Sequence, residues 1–457
     1  MTNLEEPVAV TRAFVVHQPK WQRFQTTTTM TTSSNNKSPY QRQYAHVYHQ
    51  RLAMLAPKCW NRVDQILSQE KEKDSSVKVL RILELQEGIR SFVVGTLVKE
   101  SEGDTMLDGC RCKELDALYL EDESGRVALQ VSPSVHGYTT GVVCAVQGIV
   151  GTDGVLKVEQ VVTPNDVSPL TKASPPSSDN DNNSSKGPCL LLVSGLHCGD
   201  PTVSSLPRDL LLTFLEGHLA KDKAAQIAHM VIAGGLVAKI NDTATTSNEP
   251  QKRGESSASV QSTVASLREL DRWIVQATAA GIPMDVFGGK DDPTTANWPQ
   301  RPLHRSLLPN AHRYVKELLH CSPNPYAATL HEQSVVGTDG TNITDLVQSV
   351  LMEDSSKVSE LEALRRTLEW SHVCPTGPDS VPTVPHMESD PMVLDQVPNV
   401  YFCGNATKFD TASVSIQDRQ DTKECRLICV PDFGTTGEAV LVHLETNEVE
   451  VLRFVCE

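Results

Sequence analysis

The sequence predicts a two-part chain of β and α/β class, a small β-barrel followed by a layered α/β domain. Three observations predict it. Short apolar runs broken by Gly- and Asp-rich turns fill residues 79–162, and buried-strand runs alternate with helical spacing from 190 to 287. Polar, low-complexity stretches precede the first part, separate the two and interrupt the second. At 457 residues the chain has room for two or three domains with a substantial core.

Residues 1–37, rich in Thr, Ser and Asn, offer too little apolar surface for a core and are expected to form a disordered tail. Gln18-x-x-Trp21-x-x-Phe24 within it resembles a sliding-clamp-binding peptide, but Gln25 stands where a second terminal aromatic is needed. Glu5 and Glu6 argue against a mitochondrial transit peptide. Residues 38–76 are expected to be helical. Ser38-Pro39-Tyr40-Gln41 has the form of a capping box with Pro at the first helical position, and Tyr44, Val47, Tyr48, Leu52 and Leu55 follow at the spacing of one buried face.

The barrel is expected over 77–170. Residues 92–98 read as one strand, 116–120 and 126–131 flank a turn at 121–125, and 142–150 and 155–162 form a hairpin over Gly151-Thr152-Asp153-Gly154. Five or so such strands in this span suggest an OB-fold. A single-strand-binding barrel needs a basic groove and stacking aromatics, yet residues 77–166 carry eight Lys/Arg against fourteen Asp/Glu, and Phe92, Tyr119 and Tyr138 are the only aromatics. A structural or protein-docking barrel fits better. The formal net charge of −16 also argues against a free-standing nucleic-acid binder, so DNA contact is expected only through a partner.

Residues 171–188 read as a linker and 189–457 as the α/β domain. Its strands are expected at 190–193, 230–233 and around 284–287. Helical spacing runs from 206 to 219 and through Val264, Leu267, Leu270, Trp273 and Ile274, after a polar loop at 243–259. No apolar run approaches a membrane span, and no signal-peptide core is present. The twelve cysteines include no Cys-x-x-Cys, which supports neither a zinc ribbon nor a disulfide framework and places the chain in a reducing compartment.

Ligands in open α/β sheets gather at the carboxyl ends of strands. Four such loops carry the candidate site. Ser194-Gly195-Leu196-His197 follows the first strand, Gly234-Gly235 the second and Gly288-Gly289-Lys290-Asp291-Asp292 the third. Asn405-Ala406-Thr407 follows residues 400–404. The layout resembles the calcineurin-like phosphoesterases, whose corresponding loops read Asp-x-His, Gly-Asp, Gly-Asn-His-Asp/Glu and Gly-His-x-His. Here His197 is kept, Gly235 replaces the bridging acid, Lys290 puts a cation where an imidazole belongs, and Asn405 with Thr407 replaces the terminal histidines. His304, His372, Asp291 and Asp292 are further possible vestiges. No metal, no cofactor and no catalytic residue is expected, and neither a P-loop nor a Gly-x-Ser-x-Gly elbow is present.

The same segments identify the chain, from Ser38 onward, as similar to the small (B) subunits of replicative DNA polymerase delta. The resemblance is carried by Arg42 to Tyr48, Leu191 to Leu196, Asp292-Pro293-Thr294, Pro299 to His304, Gly337 to Asp345, Pro375 to Asp379, Tyr401 to Asn405 and Val430 to Phe433. It implies an OB-fold joined to an inactive calcineurin-like phosphoesterase domain. It also implies a nuclear scaffold for replication and repair, held between the C-terminal domain of the catalytic subunit and a further accessory subunit, with no membrane contact. Gly235 departs from the family, which more often has Asn there. The alternatives are a metal-dependent phosphoesterase or nuclease, as in archaeal relatives with intact loops, and the small subunit of polymerase alpha or epsilon. The partner-binding residues and the domain on which the N-terminal helix packs are not legible.

Overall fold

The computed structural model describes residues 20–21, 44–68, 76–101, 110–113, 116–132, 134–172, 187–238, 255–385, 389–417 and 422–455, without the side chains of 20–21 and 255–260. The capping box, most of the Thr-rich tail, 173–186 of the linker and 243–254 of the polar loop lie outside these residues. Two expectations change. Lys20–Trp21 (β1), inside the tail, pairs with a strand of the second half, and the helix after the polar loop already begins at Glu255.

Helix α1 (Ala45–Leu67) buries Val47, Arg51, Leu55, Cys59 and Val63, every fourth residue, which lines them along one face. That face is not the expected one at its start, since Tyr44 is exposed and a charged residue, Arg51, sits in the stripe. The barrel follows: β2 (Val77–Val79), β3 (Arg90–Glu100), β4 (Ala117–Glu121), β5 (Arg126–Gln130), β6 (Val143–Val150) and β7 (Leu156–Val162). Their order is β2-β3-β4-β5-β7-β6, closed by β3 pairing with β6. The β4–β5 turn is held by Asp122, whose carboxylate accepts the N–H groups of Ser124 and Gly125. Val93 and Leu97 of β3 point into the barrel while Phe92 and Val94 face α1, the alternation a strand imposes. Phe92 is thus fully buried under Leu55, Cys59 and Val63, and Tyr119 is capped by the Arg126 guanidinium at 3.5 Å. Two of the three barrel aromatics are committed to the protein itself.

The chain then leaves the barrel through β8 (Asp166–Val167) and β9 (Thr171–Lys172), which pair with a strand of the second half. That half comprises β10 (Cys189–Val193), α2 (Leu206–Leu215), α3 (Lys221–Gln226), β11 (Ile227–Ala233), α4 (Glu255–Ala279), β12 (Met284–Phe287), α5 (Pro309–Tyr314), β13 (Leu319–Cys321), β14 (Tyr326–Leu330), β15 (Gln333–Thr338), α6 (Thr341–Val347), α7 (Glu360–Glu369), β16 (Val400–Ala406), β17 (Asp410–Gln417), β18 (Thr422–Pro431), α8 (Phe433–Thr436), β19 (Glu438–His443) and β20 (Val449–Arg453). One sheet runs β13-β12-β11-β10-β19-β20 and the other β1-β14-β15-β16-β18-β17-β8, with β9 also on β17.

The sheets share an apolar layer that includes Leu190, Leu192, Val231 and Phe287 from one and Tyr326, Val335, Phe402 and Ile428 from the other. Each such side chain, fully buried, contributes about 1.5–3 kcal/mol. Helices α2 and α4 cover the outer face of the first sheet; α6 and α7 cover the second, in a cluster continuous with the barrel interior. Within the two sheets β10 through β13 are mutually parallel, as are β15, β16 and β18, so their carboxyl ends open on one edge.

Candidate functional site

At that edge lies a cavity of about 610 Å³, lined among others by His197, Gly235, Lys290, Asp339, Asn405 and Asp432. Each comes from the end of a different strand or the turn behind it, as the parallel arrangement dictates. Lys290 and Asp291 line the cavity with exposed side chains; Asp339 and Asp432 complete it, and neither was singled out as a site residue from sequence.

In the wall of the cavity the chain's own groups pack closely against one another. Gly235 has φ +62°, and a Cβ there would meet Asn405 Oδ1 at 2.6 Å, so the amide of Asn405 occupies the space a bridging carboxylate would need. Asn405, itself at φ +49°, donates from Nδ2 to the carbonyls of Asp339 at 2.9 Å and Ala233 at 3.2 Å. A Cβ on Gly195 would likewise meet the Asp432 carboxyl carbon at 2.7 Å. Asp432 instead pairs with His197, Oδ2 to Nε2 at 2.6 Å, and accepts from Thr435. Burial acts to raise the Asp432 pKa, but the His197 and Thr435 bonds outweigh it and the net shift is downward.

Two further carboxylates, those of Asp292 and Asp339, are engaged by neighbouring loops. Asp292 is buried and accepts N–H bonds from Gly289 at 2.7 Å, Leu236 at 2.8 Å and Val237 at 3.1 Å, stapling two loops together. Burial pushes its carboxyl up to about 6 despite these bonds. Asp339 accepts from Asn324 Nδ2 at 2.8 Å, the Lys290 N–H at 3.1 Å and Thr341. Gly289 passes close beside it, where a Cβ would meet Asp339 Oδ2 at 2.9 Å. Ser194 is buried, donating to the Val430 and Pro431 carbonyls and accepting the Asn405 N–H, and Leu196 is core.

Three candidates stand elsewhere. Thr407 is exposed and bound to Glu360 at the start of α7, while His304 is exposed and caps a short 3₁₀ turn through Ser306. His372 is fully buried away from the cavity, its Nε2 2.9 Å from Asp390 Oδ2; burial, reinforced by nearby Arg51, holds its pKa down at about 4. It belongs to a structural cluster in which Arg51 of α1 donates to Asp390 and to the carbonyls of Gly141, Pro375 and Gly377. Sequence carried no signal for that cluster beyond a charge inside an apolar stripe.

A dinuclear metal centre does not fit the cavity. Among the described residues, no three His, Cys, Asp or Glu donors of the cavity converge closely enough to hold an ion, and Gly235 lies packed against the Asn405 amide.

Two protein families match separate stretches of the chain. A family described as DNA polymerase delta subunit OB-fold domain matches residues 43–161, and a family of DNA polymerase alpha/epsilon B subunits matches residues 190–411. The chain is 30% identical over 432 residues to DNA polymerase delta subunit 2 of Drosophila melanogaster, covering 91% of this chain and 94% of the relative. It is 31% identical over 435 residues to the DNA polymerase delta small subunit of Oryza sativa subsp. japonica, covering 90% and 93%. With that of Arabidopsis thaliana it shares 32% over 438 residues, covering 90% and 91%.

Proposed function

The chain belongs to the DNA polymerase delta small-subunit family and is an accessory subunit of that polymerase in DNA replication, and from this premise we propose that it is a non-catalytic nuclear scaffold. Its second half is a calcineurin-like phosphoesterase domain, over 189–457, whose hydrolytic site has been closed. The barrel, over 77–170, serves structure and docking. The chain binds the C-terminal domain of the catalytic subunit and bridges to a further accessory subunit, meets DNA only within that complex, and acts in repair as well as replication.

The observation that carries this reading is the packing of Asn405 against Gly235, which puts an amide where a phosphoesterase needs a shared carboxylate. Two facts add support: the carboxylates of Asp292 and Asp339 are consumed by loop bonds, and the aromatics Phe92 and Tyr119 are unavailable as stacking platforms. No helix among the described residues is long and apolar enough to cross a membrane.

The test is co-purification of the full chain with the C-terminal domain of the catalytic subunit. A stable complex is expected, unchanged by His197→Ala or Asp432→Asn. Failure to associate, or loss of association on altering the cavity alone, overturns the scaffold reading.

A further inference from the structure

A second group of metal-capable side chains lies in the barrel, outside the cavity. Cys112 and Asp116 sit on the segment between β3 and β4, and His136 on the 3₁₀ turn between β5 and β6. One donor atom from each lies within 4.8 Å of the other two. Cys112 is fully buried, the Asp116 side chain is 0% exposed and that of His136 is 13% exposed.

Their hydrogen bonding is incomplete. Asp116 Oδ2 accepts the Lys113 N–H at 3.1 Å, which fixes the carboxylate, while Oδ1 is buried with no hydrogen-bond partner. His136 Nδ1 is also buried without one, 3.4 Å from Asp116 Oδ2 and too poorly aligned to bond it. A buried, unpaired carboxylate oxygen and imidazole nitrogen each carry the full cost of lost hydration, so leaving both vacant beside a thiol needs a reason.

We propose that Cys112, Asp116 and His136 bind a zinc ion, with water in the fourth position. Thiolate, imidazole and carboxylate together are a zinc donor set, and tetrahedral bonds of about 2.0–2.3 Å place donors about 3.3–3.8 Å apart, a modest contraction of the present cluster. Binding replaces the thiol proton of Cys112, which is released to solvent, and gives the two vacant atoms a partner.

Lys99 is the obvious objection, because its ammonium lies 3.2 Å from Cys112 Sγ and 3.5 Å from Asp116 Oδ2. It also donates to the carbonyls of Tyr138 at 3.2 Å and Ser349 at 3.1 Å, so its three N–H groups have three acceptors without Asp116. An ammonium anchored this way serves as an outer donor to a metal-bound thiolate, offsetting its charge. If Lys99 were the resident cation instead, Asp116 Oδ1 and His136 Nδ1 would remain unexplained.

The location gives the metal a mechanical role. Cys112 Sγ lies 3.2 Å from the Ser349 carbonyl, and the Arg111 N–H donates to Gln348 O at 2.8 Å, both just beyond α6. An ion here ties the segment between β3 and β4 to the turn between β5 and β6, and its binding gives up the Cys112 S–H bond to the Ser349 carbonyl.

The test is cobalt titration of the full chain after chelator treatment, together with zinc content as purified. Expected are a thiolate-to-cobalt charge-transfer band, stoichiometric zinc and a higher thermal midpoint with zinc than without. Cys112→Ser and His136→Ala should lose both the band and the zinc, while His197→Ala keeps them. Absence of the band and of zinc in the wild type overturns the proposal, as does metal that survives both barrel substitutions or is lost with His197. The wild-type spectrum decides the matter even if the barrel variants fail to fold.

Discussion

Two His–Asp pairs in the second half of the molecule have opposite surroundings. His372–Asp390 is fully buried and tied through Arg51 to α1 and the barrel, whereas His197–Asp432 lies at the wall of a cavity, with Asp432 part-exposed. The first is architecture: one guanidinium joins the helix, the barrel at Gly141 and the second half at Asp390, Pro375 and Gly377. The second lines the cavity, where Asp432 is held by His197 and Thr435. Residue type is the same in both, so what separates them is where the partners come from.

The sharpest way to break that comparison is Arg51→Ala. It strands Asp390 and three carbonyls in the interior, and a cost of about 3–5 kcal/mol is expected in denaturant unfolding. A loss under 1 kcal/mol would mean the cluster is not the rivet described here. Gly141, at φ +89° with Arg51 Nη1 2.5 Å from where a Cβ would stand, should tolerate alanine as poorly.

Acid should act through the same cluster. In the fold His372 takes a proton only near pH 4, but in the unfolded chain it does so below about 6.5. Stability from this group is therefore complete above about pH 6.5 and falls as pH drops toward 4, by about 2–3 kcal/mol. The depressed Asp390 adds a contribution present above its unfolded value and lost only at still lower pH. Unfolding measured from pH 7.5 to 4.5 should show this slope, and His372→Gln should flatten it; an unchanged slope in the variant assigns it elsewhere.

At the cavity the effects are smaller. Gly235→Asp introduces a carboxylate at the cavity, yet its Cβ must displace the Asn405 amide at a positive φ. A destabilisation of about 1–3 kcal/mol without gain of hydrolysis is expected. Manganese-dependent activity in that variant would show the site one residue from function. Asp432→Asn is expected to cost under about 1 kcal/mol, since the carboxylate is part-exposed, and an unfolding shift several times larger would give this pair a structural weight like that of its counterpart.

Much of the fold was legible because local chemistry specifies it. The turns at Glu121–Gly125 and Gly151–Gly154 sit where the strand pairings place them, and the apolar runs at 190–193 and 284–287 are strands buried on both faces. The site was half legible. His197, Gly235 and Asn405 sit together as their loops suggested, but Asp339 and Asp432 follow β15 and β18, whose ends were not read as ligand positions. His372 illustrates the limit. A histidine in a loop-rich segment looks like a ligand until its neighbour proves to be Arg51, 321 positions away in a helix read as apolar (372 − 51).

The proposal that the second half is a phosphoesterase-like domain kept without its chemistry is tested most directly by assaying phosphodiester hydrolysis with manganese across the chromatographic peak of the wild-type full chain. No hydrolysis is expected to follow the protein. Activity that co-elutes with it and disappears in His197→Ala or Asp432→Asn would contradict the account.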